Sequence, residues 1–303
     1  MRSLVIGFGS IGARHTRILV EQGYDTAVVS GREIDYPKRY SSVYQALKEF
    51  DPEYIVVANK TGEHYITVCL LAEAGFDGIL LVEKPLFSDY AELPQNKFSA
   101  ICVAYNLRFH PILIKLKEML TDEEVLSIQA YVGQYLPDWR PDSNYRNCYS
   151  AQKNDGGGVL RDLSHELDFI NWIVGPCVRV AAIGGHYSDL EITSDDLYVL
   201  IMQTELCSVL TLQMSYLDRM PRRSITINTQ TKTIEANFGT GTVTVNGRHE
   251  VYQVDRDDTY RDMHRAVFDG QLTQLCSVDE ALETVKLIQD IEKASMQGRW
   301  IIR

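Results

Sequence analysis

The sequence predicts an α/β fold in two parts: an N-terminal Rossmann domain over residues 1–107, then an α+β domain with an open, mostly antiparallel sheet over residues 108–303. Three observations predict it. Short apolar strands alternate with helical segments through the first third of the chain, the pattern of a parallel sheet covered by helices. The run Gly7-Phe8-Gly9-Ser10-Ile11-Gly12 follows the strand-like Ser3-Leu4-Val5-Ile6 and opens a helix. Residues 178–254 alternate through about six or seven short strands with turn signals such as Asn246-Gly247, which indicates an antiparallel sheet.

Taken in order, strands are expected at residues 4–6, 26–30, 54–58, 79–82 and 100–104, with helices over 11–22, 43–50 and 64–74. Residues 86–98 are short and contain Pro94, so the helix due there is reduced or absent. Beyond Asn106 a helix over 111–120 leads into a long alternating strand, 125–135, and an aromatic, arginine-rich loop over 136–155. Gly156-Gly157-Gly158 opens a helix that ends near Gly175-Pro176. Two helices close the chain, the last with Ser277 and Glu280 in capping-box spacing and Gly298 as its stop.

Bulk composition narrows the function classes. A net charge of −11 argues against general nucleic-acid or anionic-membrane binding, though a local phosphate pocket is compatible with it. No apolar run approaches the roughly 18 residues that span a bilayer, and the first strand starts by Ser3, leaving no room for a signal peptide. Cys69, Cys102, Cys148, Cys177, Cys207 and Cys276 are scattered, without a ligand-like spacing. A reduced, cytoplasmic protein without a metal site is expected.

In the glycine run, Gly7 permits a tight turn, Gly9 lets the backbone approach a pyrophosphate, and Gly12 lets the helix pack closely on the strand. Residues 7–12, Phe8, Ser10 and Ile11 included, are therefore the expected dinucleotide loop, at a helix N-terminus that favours anions. Ser30 stands where an NAD site places Asp or Glu, and Arg32 suits a 2′-phosphate, so NADP is favoured over NAD. Glu33 is the competing ribose ligand, about 20 residues beyond the glycines.

Glu83-Lys84-Pro85 closes the apolar run Gly78–Val82, which puts an amine at the carboxyl end of a buried parallel strand, where doubly wound sheets bind ligands. On the glycine-led helix, Leu160, Leu163, Leu167, Ile170 and Val174 form one stripe, with Asp162, His165, Asp168 and Trp172 on the other side. His165 is the candidate proton carrier, and Asp162, three residues before it, the candidate orienting carboxylate.

With these elements the chain resembles the Gfo/Idh/MocA family of oxidoreductases along nearly its whole length. The resemblance rests on residues 7–12, Ala58-Asn59-Lys60-Thr61-Gly62-Glu63-His64, Glu83-Lys84-Pro85, Tyr105-Asn106-Leu107-Arg108-Phe109-His110-Pro111 and His165-Glu166-Leu167-Asp168. It implies hydride transfer on a sugar or related polyol held between the two domains, with Lys84 and His165 as the working pair. It further implies cofactor contacts at Asn59, His64, Glu83 and Lys84, and a homodimer or homotetramer formed through the broad sheet. Asp162 and His165 are three apart where many members have D-x-G-x-H, and Asn59-Lys60 stands where many have Thr/Ser-Pro.

Trp139, Arg140, Tyr145 and Arg146 join Asp162 and His165 as expected substrate contacts. Aromatic faces suit sugar rings, and guanidinium groups suit carboxylates and phosphates, so an anionic or nucleotide-activated sugar is favoured. Two competing readings are a noncatalytic dinucleotide sensor and a dinucleotide-dependent glycosidase on the same scaffold.

Overall fold

The computed structural model describes residues 1–141 and 143–303, which divide into two units. The first comprises Met1–Phe109 and Arg256–Leu282, the second His110–Asp255 and Glu283–Arg303.

The first unit begins with β1 (Arg2–Ile6), α1 (Ser10–Glu21), β2 (Asp25–Val29), β3 (Arg39–Tyr40), α2 (Val43–Phe50), β4 (Tyr54–Val57), α3 (His64–Glu73), β5 (Ile79–Val82) and β6 (Ala100–Val103). These six strands pair in parallel in the order β3-β2-β1-β4-β5-β6, so the chain reverses direction across the sheet between β1 and β4. That reversal is the topological switch point at which such sheets bind ligands, outside the carboxyl ends of the strands. The two-residue β3 escapes a periodicity reading because it has no alternation to detect. No helix forms over residues 86–98, as Pro94 and the short spacing require.

β1, β4 and β5 are buried on both faces, which is why they read as unbroken apolar runs. Val5, Val28, Val56 and Leu81 share a core with Ile18 and Leu19 of α1.

The second unit starts with α4 (Pro111–Leu120), capped by His110, whose Nδ1 accepts the Ile112 N–H at 3.2 Å. β7 (Val125–Gly133) follows, then 3-10 turns at Leu136–Trp139, Tyr145–Asn147, Tyr149–Ala151 and Lys153–Asp155, then α5 (Val159–Asp162) and α6 (His165–Val174). The sheet is completed by β8 (Cys177–Gly185), β9 (Leu197–Thr204), β10 (Cys207–Ser215), β11 (Arg222–Thr229), β12 (Thr233–Asn237), β13 (Thr242–Val245) and β14 (Arg248–Val251). All neighbours are antiparallel except β7 and β10.

The chain then supplies α7 (Asp258–Phe268) and β15 (Cys276–Ser277) to the first unit, before α8 (Val278–Gln297) and β16 (Ile301–Ile302), the latter pairing with β8. The sequence reading assigned everything from residue 108 onward to the second domain; the structure returns Arg256–Leu282 to the first. β15 pairs antiparallel with β6, and Met263 and Val267 of α7 enter the core around Val5 and Val56. The motif at residues 105–111 anchors this return: Asn106 Nδ2 donates to Thr259 Oγ1 at 2.6 Å, and buried Arg108 donates to Glu280 Oε1 at 2.9 Å. The capping box also forms, Ser277 N–H donating to Glu280 Oε2 at 2.9 Å and Glu280 N–H to Ser277 Oγ at 3.3 Å.

Candidate functional site

In the first unit the residues after each strand continue the ladder by one step. Gly7 N–H donates to Val29 O at 3.0 Å, Ala58 N–H to Ile6 O, Glu83 N–H to Val57 O and Ala104 N–H to Val82 O, each at 2.8 Å. Gly7, Ala58, Glu83 and Ala104 thus stand in one row at the carboxyl edge. Phe8, Asn59 and Lys84 each directly follow a member of this row. Sequence reasoning located these residues at the edge because the strand ends are sharp.

The glycine loop fits a pyrophosphate. Gly7 has φ of 99°, and a Cβ there would sit 2.6 Å from Ala58 O; a Cβ on Gly12 would sit 2.0 Å from Gly7 O. Both are backbone clashes that only glycine avoids. A Cβ on Gly9 would instead meet nothing within 4 Å, so the approach to the loop is open there. No side chain caps α1, whose first N–H groups have no intrahelical acceptor and suit an anion. The buried Oδ1 of Asn59 also has no hydrogen-bond partner, while its Nδ2 donates to Thr67 at 2.8 Å.

Other expected cofactor residues have structural commitments. Ser30 Oγ accepts the Arg32 N–H at 3.1 Å, forming a tight turn after β2, and Arg39 Nε reaches Ser30 O at 3.4 Å. Arg39 was missed from the sequence because β3 was. His64 is buried with Nδ1 3.1 Å from Pro85 O and Nε2 3.4 Å from Asn59 O, so its ring ties the β4 and β5 exits together. Burial pushes its imidazole below the ordinary value, against the raising effect of the carbonyls. Glu83 is turned inward: Oε1 meets His15 Nε2 at 2.9 Å, and Oε2 accepts the Lys84 N–H at 3.1 Å.

In the second unit the expected single helix is two. Leu163 leaves helical geometry at φ −99° and ψ 21°, and the backbone bonds tighten to Arg161 O from Ser164 N and to Leu163 O from Glu166 N. Asp162 ends α5 and His165 begins α6, so the i, i+3 relation inferred for them does not lie on one continuous helix. The leucine stripe is buried as expected, but so are Asp162 and Asp168, which the sequence placed on a polar face. Asp162 accepts the Tyr216 hydroxyl at 2.5 Å and is also bonded by Tyr149. Burial, reinforced by Asp162, holds both phenols well above the ordinary tyrosine value. Glu166 pairs with Arg223 at 2.7 Å.

Around this carboxylate the aromatic loop gathers in part. The Trp139 ring meets Tyr216 edge-on at 5.2 Å, and Arg140 lies 6.0 Å from the Tyr149 ring centroid. Tyr145 and Arg146 take a different course: Tyr145 Oη accepts the Glu191 N–H at 3.3 Å, and exposed Arg146 pairs with the Glu191 carboxylate. Tyr149 and Tyr216 carried no sequence signal, being ordinary aromatics in a loop and after a strand. His165 is half-buried at the start of α6. Among the described residues no group of His, Cys, Asp and Glu is arranged to hold a metal ion.

Asp195 explains the glycine-led entry. Its Oδ2 accepts the Leu160 N–H at 3.3 Å, and Gly158, at φ 126°, would place a Cβ 2.4 Å from its Oδ1. Burial raises this carboxyl to about 6, opposed by the Leu160 N–H and Arg161. A folded-state value above the unfolded one means the native protein holds the extra proton, so stability falls as pH rises from about 4 through 6. Asp195→Asn, which keeps the acceptor, is expected to raise Tm at about pH 7.5 but not at about pH 4; equal effects at both values would refute the assignment.

The first unit is therefore a dinucleotide-type Rossmann unit, and the second an open-sheet unit with a buried carboxylate–tyrosine cluster behind its glycine-led helices. Residues 113–235 match the GFO/IDH/MocA C-terminal domain, which bears out the resemblance read from the motifs. A 131-residue stretch is 21% identical to "Putative oxidoreductase YteT" of Bacillus subtilis (strain 168), covering 41% of this chain and only 30% of that protein's length. The fold matches levoglucosan dehydrogenase in complex with NADH at TM-score 0.83 and 16% identity, over 100% of this chain and 98% of that one. It matches the WlbA dehydrogenase of Bordetella pertussis, in complex with NADH and UDP-GlcNAcA, at TM-score 0.77 and 17% identity over the same shares. Myo-inositol 2-dehydrogenase from Lactobacillus plantarum matches at TM-score 0.80 and 14% identity, over 100% of this chain and 99% of that one. The helices of the described residues include none long and apolar enough to cross a membrane.

Proposed function

We propose that this chain is an NAD(P)-dependent oxidoreductase acting on a CH–OH group of a sugar, with an anionic or nucleotide-activated sugar as substrate. The observation that carries the reading is the row at the carboxyl edge of the parallel sheet. There a glycine loop open at Gly9 and an uncapped helix N-terminus lie on the strand next to the one preceding Asn59, with Lys84 one strand further. The chemistry a bound nicotinamide supplies is hydride exchange with the carbinol carbon, which becomes a carbonyl on oxidation. His165 removes the hydroxyl proton in oxidation and supplies it in reduction. Lys84 donates a hydrogen bond to the same oxygen and stabilises its developing negative charge. Asp162, held by Tyr216 and Tyr149, fixes the geometry at the end of α5.

The sugar dehydrogenases of similar fold support the substrate class, and the UDP-GlcNAcA of the WlbA complex supports its anionic, nucleotide-linked form. Trp139 and Arg140, gathered near Asp162, supply the aromatic and cationic contacts this substrate requires. Ile183, Val199, Ile201 and Val209 are exposed on one face of β8, β9 and β10, which supports a homo-oligomer. Incubation with either dinucleotide and a panel of neutral sugars, uronates and nucleotide sugars is expected to yield reduced nicotinamide with the charged members. Binding of dinucleotide without turnover of any of them would favour a sensor.

NADP is the favoured dinucleotide. The end of β2 presents Ser30 in place of a carboxylate, with Arg32 in its turn and Arg39 beside it. NADPH is expected to bind more tightly than NADH, and Arg32→Ala to lower that preference about tenfold or more, the loss of one charge-assisted bond. Tighter NADH binding by the unmodified protein in a fluorescence titration would reverse the assignment.

A further inference from the structure

Four buried side chains from separate parts of the first unit form one hydrogen-bonded line behind Lys84. Tyr54 Oη lies 2.9 Å from His264 Nδ1, His264 Nε2 lies 2.8 Å from His15 Nδ1, and His15 Nε2 lies 2.9 Å from Glu83 Oε1. Tyr54, His15 and His264 are each 0% exposed and Glu83 is 7% exposed. The line ends on the carboxylate whose other oxygen accepts the Lys84 N–H at 3.1 Å. We propose that His15 and His264 are positioning residues that lock Glu83 in place and so set the Lys84 amine for its task, an inference resting on the oxidoreductase reading above.

Proton accounting gives the line a direction. Each of its three links needs one hydrogen. If all point toward Glu83, Tyr54 donates to His264, His264 donates to His15, and His15 donates to an ionised Glu83. Every acceptor is then filled with two neutral imidazoles and one negative charge. In the reverse sense, or with His15 protonated, His264 must donate to Tyr54, and the Tyr54 hydroxyl hydrogen then has no acceptor among the described residues. A buried hydroxyl without an acceptor is disfavoured, so the first arrangement prevails.

The surroundings favour the same charges. Burial holds Tyr54 well above the ordinary phenol value, with Cys102, Glu83 and Tyr24 adding to the effect. Burial holds His264 well below the ordinary imidazole value. Burial raises Glu83, but the hydrogen bond from His15, together with the Lys84 charge and N–H, brings it below the ordinary carboxylate value. Tyr260 packs edge-on to His15 at 5.3 Å, with Arg14 over its outer face.

The consequence falls on Lys84. Its own N–H is held by Glu83, and the carbonyls of Pro85 and Leu86 beyond it are held by His64. His264 fixes which nitrogen of His15 carries the hydrogen, and that nitrogen is the one facing Glu83. Removing His264 frees His15 to change tautomer, which loosens the carboxylate and the turn that aims Lys84.

Nitrogen NMR of histidine-labelled apoprotein, assigned with His15→Gln and His264→Gln, tests the arrangement. At about pH 7 both imidazoles are expected to be neutral Nε2–H tautomers, as the proton accounting requires. An Nδ1–H tautomer or a doubly protonated ring at either residue would overturn it. Carbon-13 dimethylation, with Lys84→Arg for assignment, reads the amine directly. His264→Leu is expected to shift its titration midpoint by about half a unit or more, and His264→Gln, which retains a donor and an acceptor, to restore most of the shift. An unmoved Lys84 signal in folded His264→Leu would overturn the positioning role; should that variant not fold, His15→Gln and His264→Gln decide it. In turnover, kcat is expected to fall about tenfold in His264→Leu with the dinucleotide KM unchanged. An unmodified protein that turns over no sugar contradicts the oxidoreductase reading alone, because both NMR measurements stand without substrate.

Discussion

Lys84→Ala and His165→Ala are each expected to lower kcat by about 10²–10⁴-fold while leaving the fold and the dinucleotide Kd nearly unchanged. The two residues belong to different units. Lys84 stands at the carboxyl edge of the parallel sheet, its main chain held by buried Glu83, so truncating the side chain removes an amine and leaves the turn intact. His165 opens α6, where substitution leaves the buried stripe of Leu167, Ile170 and Val174 untouched. If both serve one substrate oxygen, the double variant loses less than the product of the single losses. Near-normal turnover in either folded single variant would remove that residue from the mechanism.

Gly12→Ala is expected to be the most damaging single-methyl change in the first unit. The new Cβ would lie 2.0 Å from Gly7 O, and a backbone oxygen cannot swing aside as a side chain can. Helix α1 must lift from β1, at about 1–3 kcal/mol for overpacking, and the loop it carries moves with it. Dinucleotide Kd is expected to weaken by about tenfold or more. Gly9→Ala is the informative companion, because its Cβ meets nothing within 4 Å. It is expected to change stability by less than about 0.5 kcal/mol while still weakening dinucleotide binding. Chemical denaturation and calorimetric titration separate the two effects. Full affinity in Gly9→Ala would mean that the loop does not receive the phosphates.

Much of this architecture is legible in the sequence, for physical reasons. The parallel strands are buried on both faces and must be apolar throughout, so their ends, and the residues that follow them, can be read to within a residue or two. The glycine loop is legible because backbone approach and helix packing admit no side chain at Gly7 or Gly12. The return of Arg256–Leu282 to the first unit is not legible: the apolar stripe of α7 shows that it packs, but not on what. That same return brings His264 to His15 across 249 positions, a contact no local pattern reports. Nor does periodicity show that Leu163 interrupts the helix, since Leu160, Leu163, Leu167, Ile170 and Val174 keep helical spacing in the sequence across the break. Asp162 was singled out for its neighbour His165, yet the partners visible in its own unit are Tyr216 and Tyr149, from distant segments. Arg146, a loop arginine expected to contact substrate, pairs in the fold with Glu191.

The central claim, hydride transfer from a sugar carbinol, is tested most directly by isotope transfer. A nucleotide-linked or uronate sugar deuterated at successive carbinol carbons would be incubated with the protein and oxidised dinucleotide, and the nicotinamide analysed by mass spectrometry. Deuterium from one carbinol position is expected at C4 of the reduced nicotinamide, in equal amount to the carbonyl product, and formed about 10²–10⁴-fold more slowly with Lys84→Ala. Consumption of the sugar without deuterium in the nicotinamide, or cleavage of its glycosidic bond with no net reduction, would contradict it.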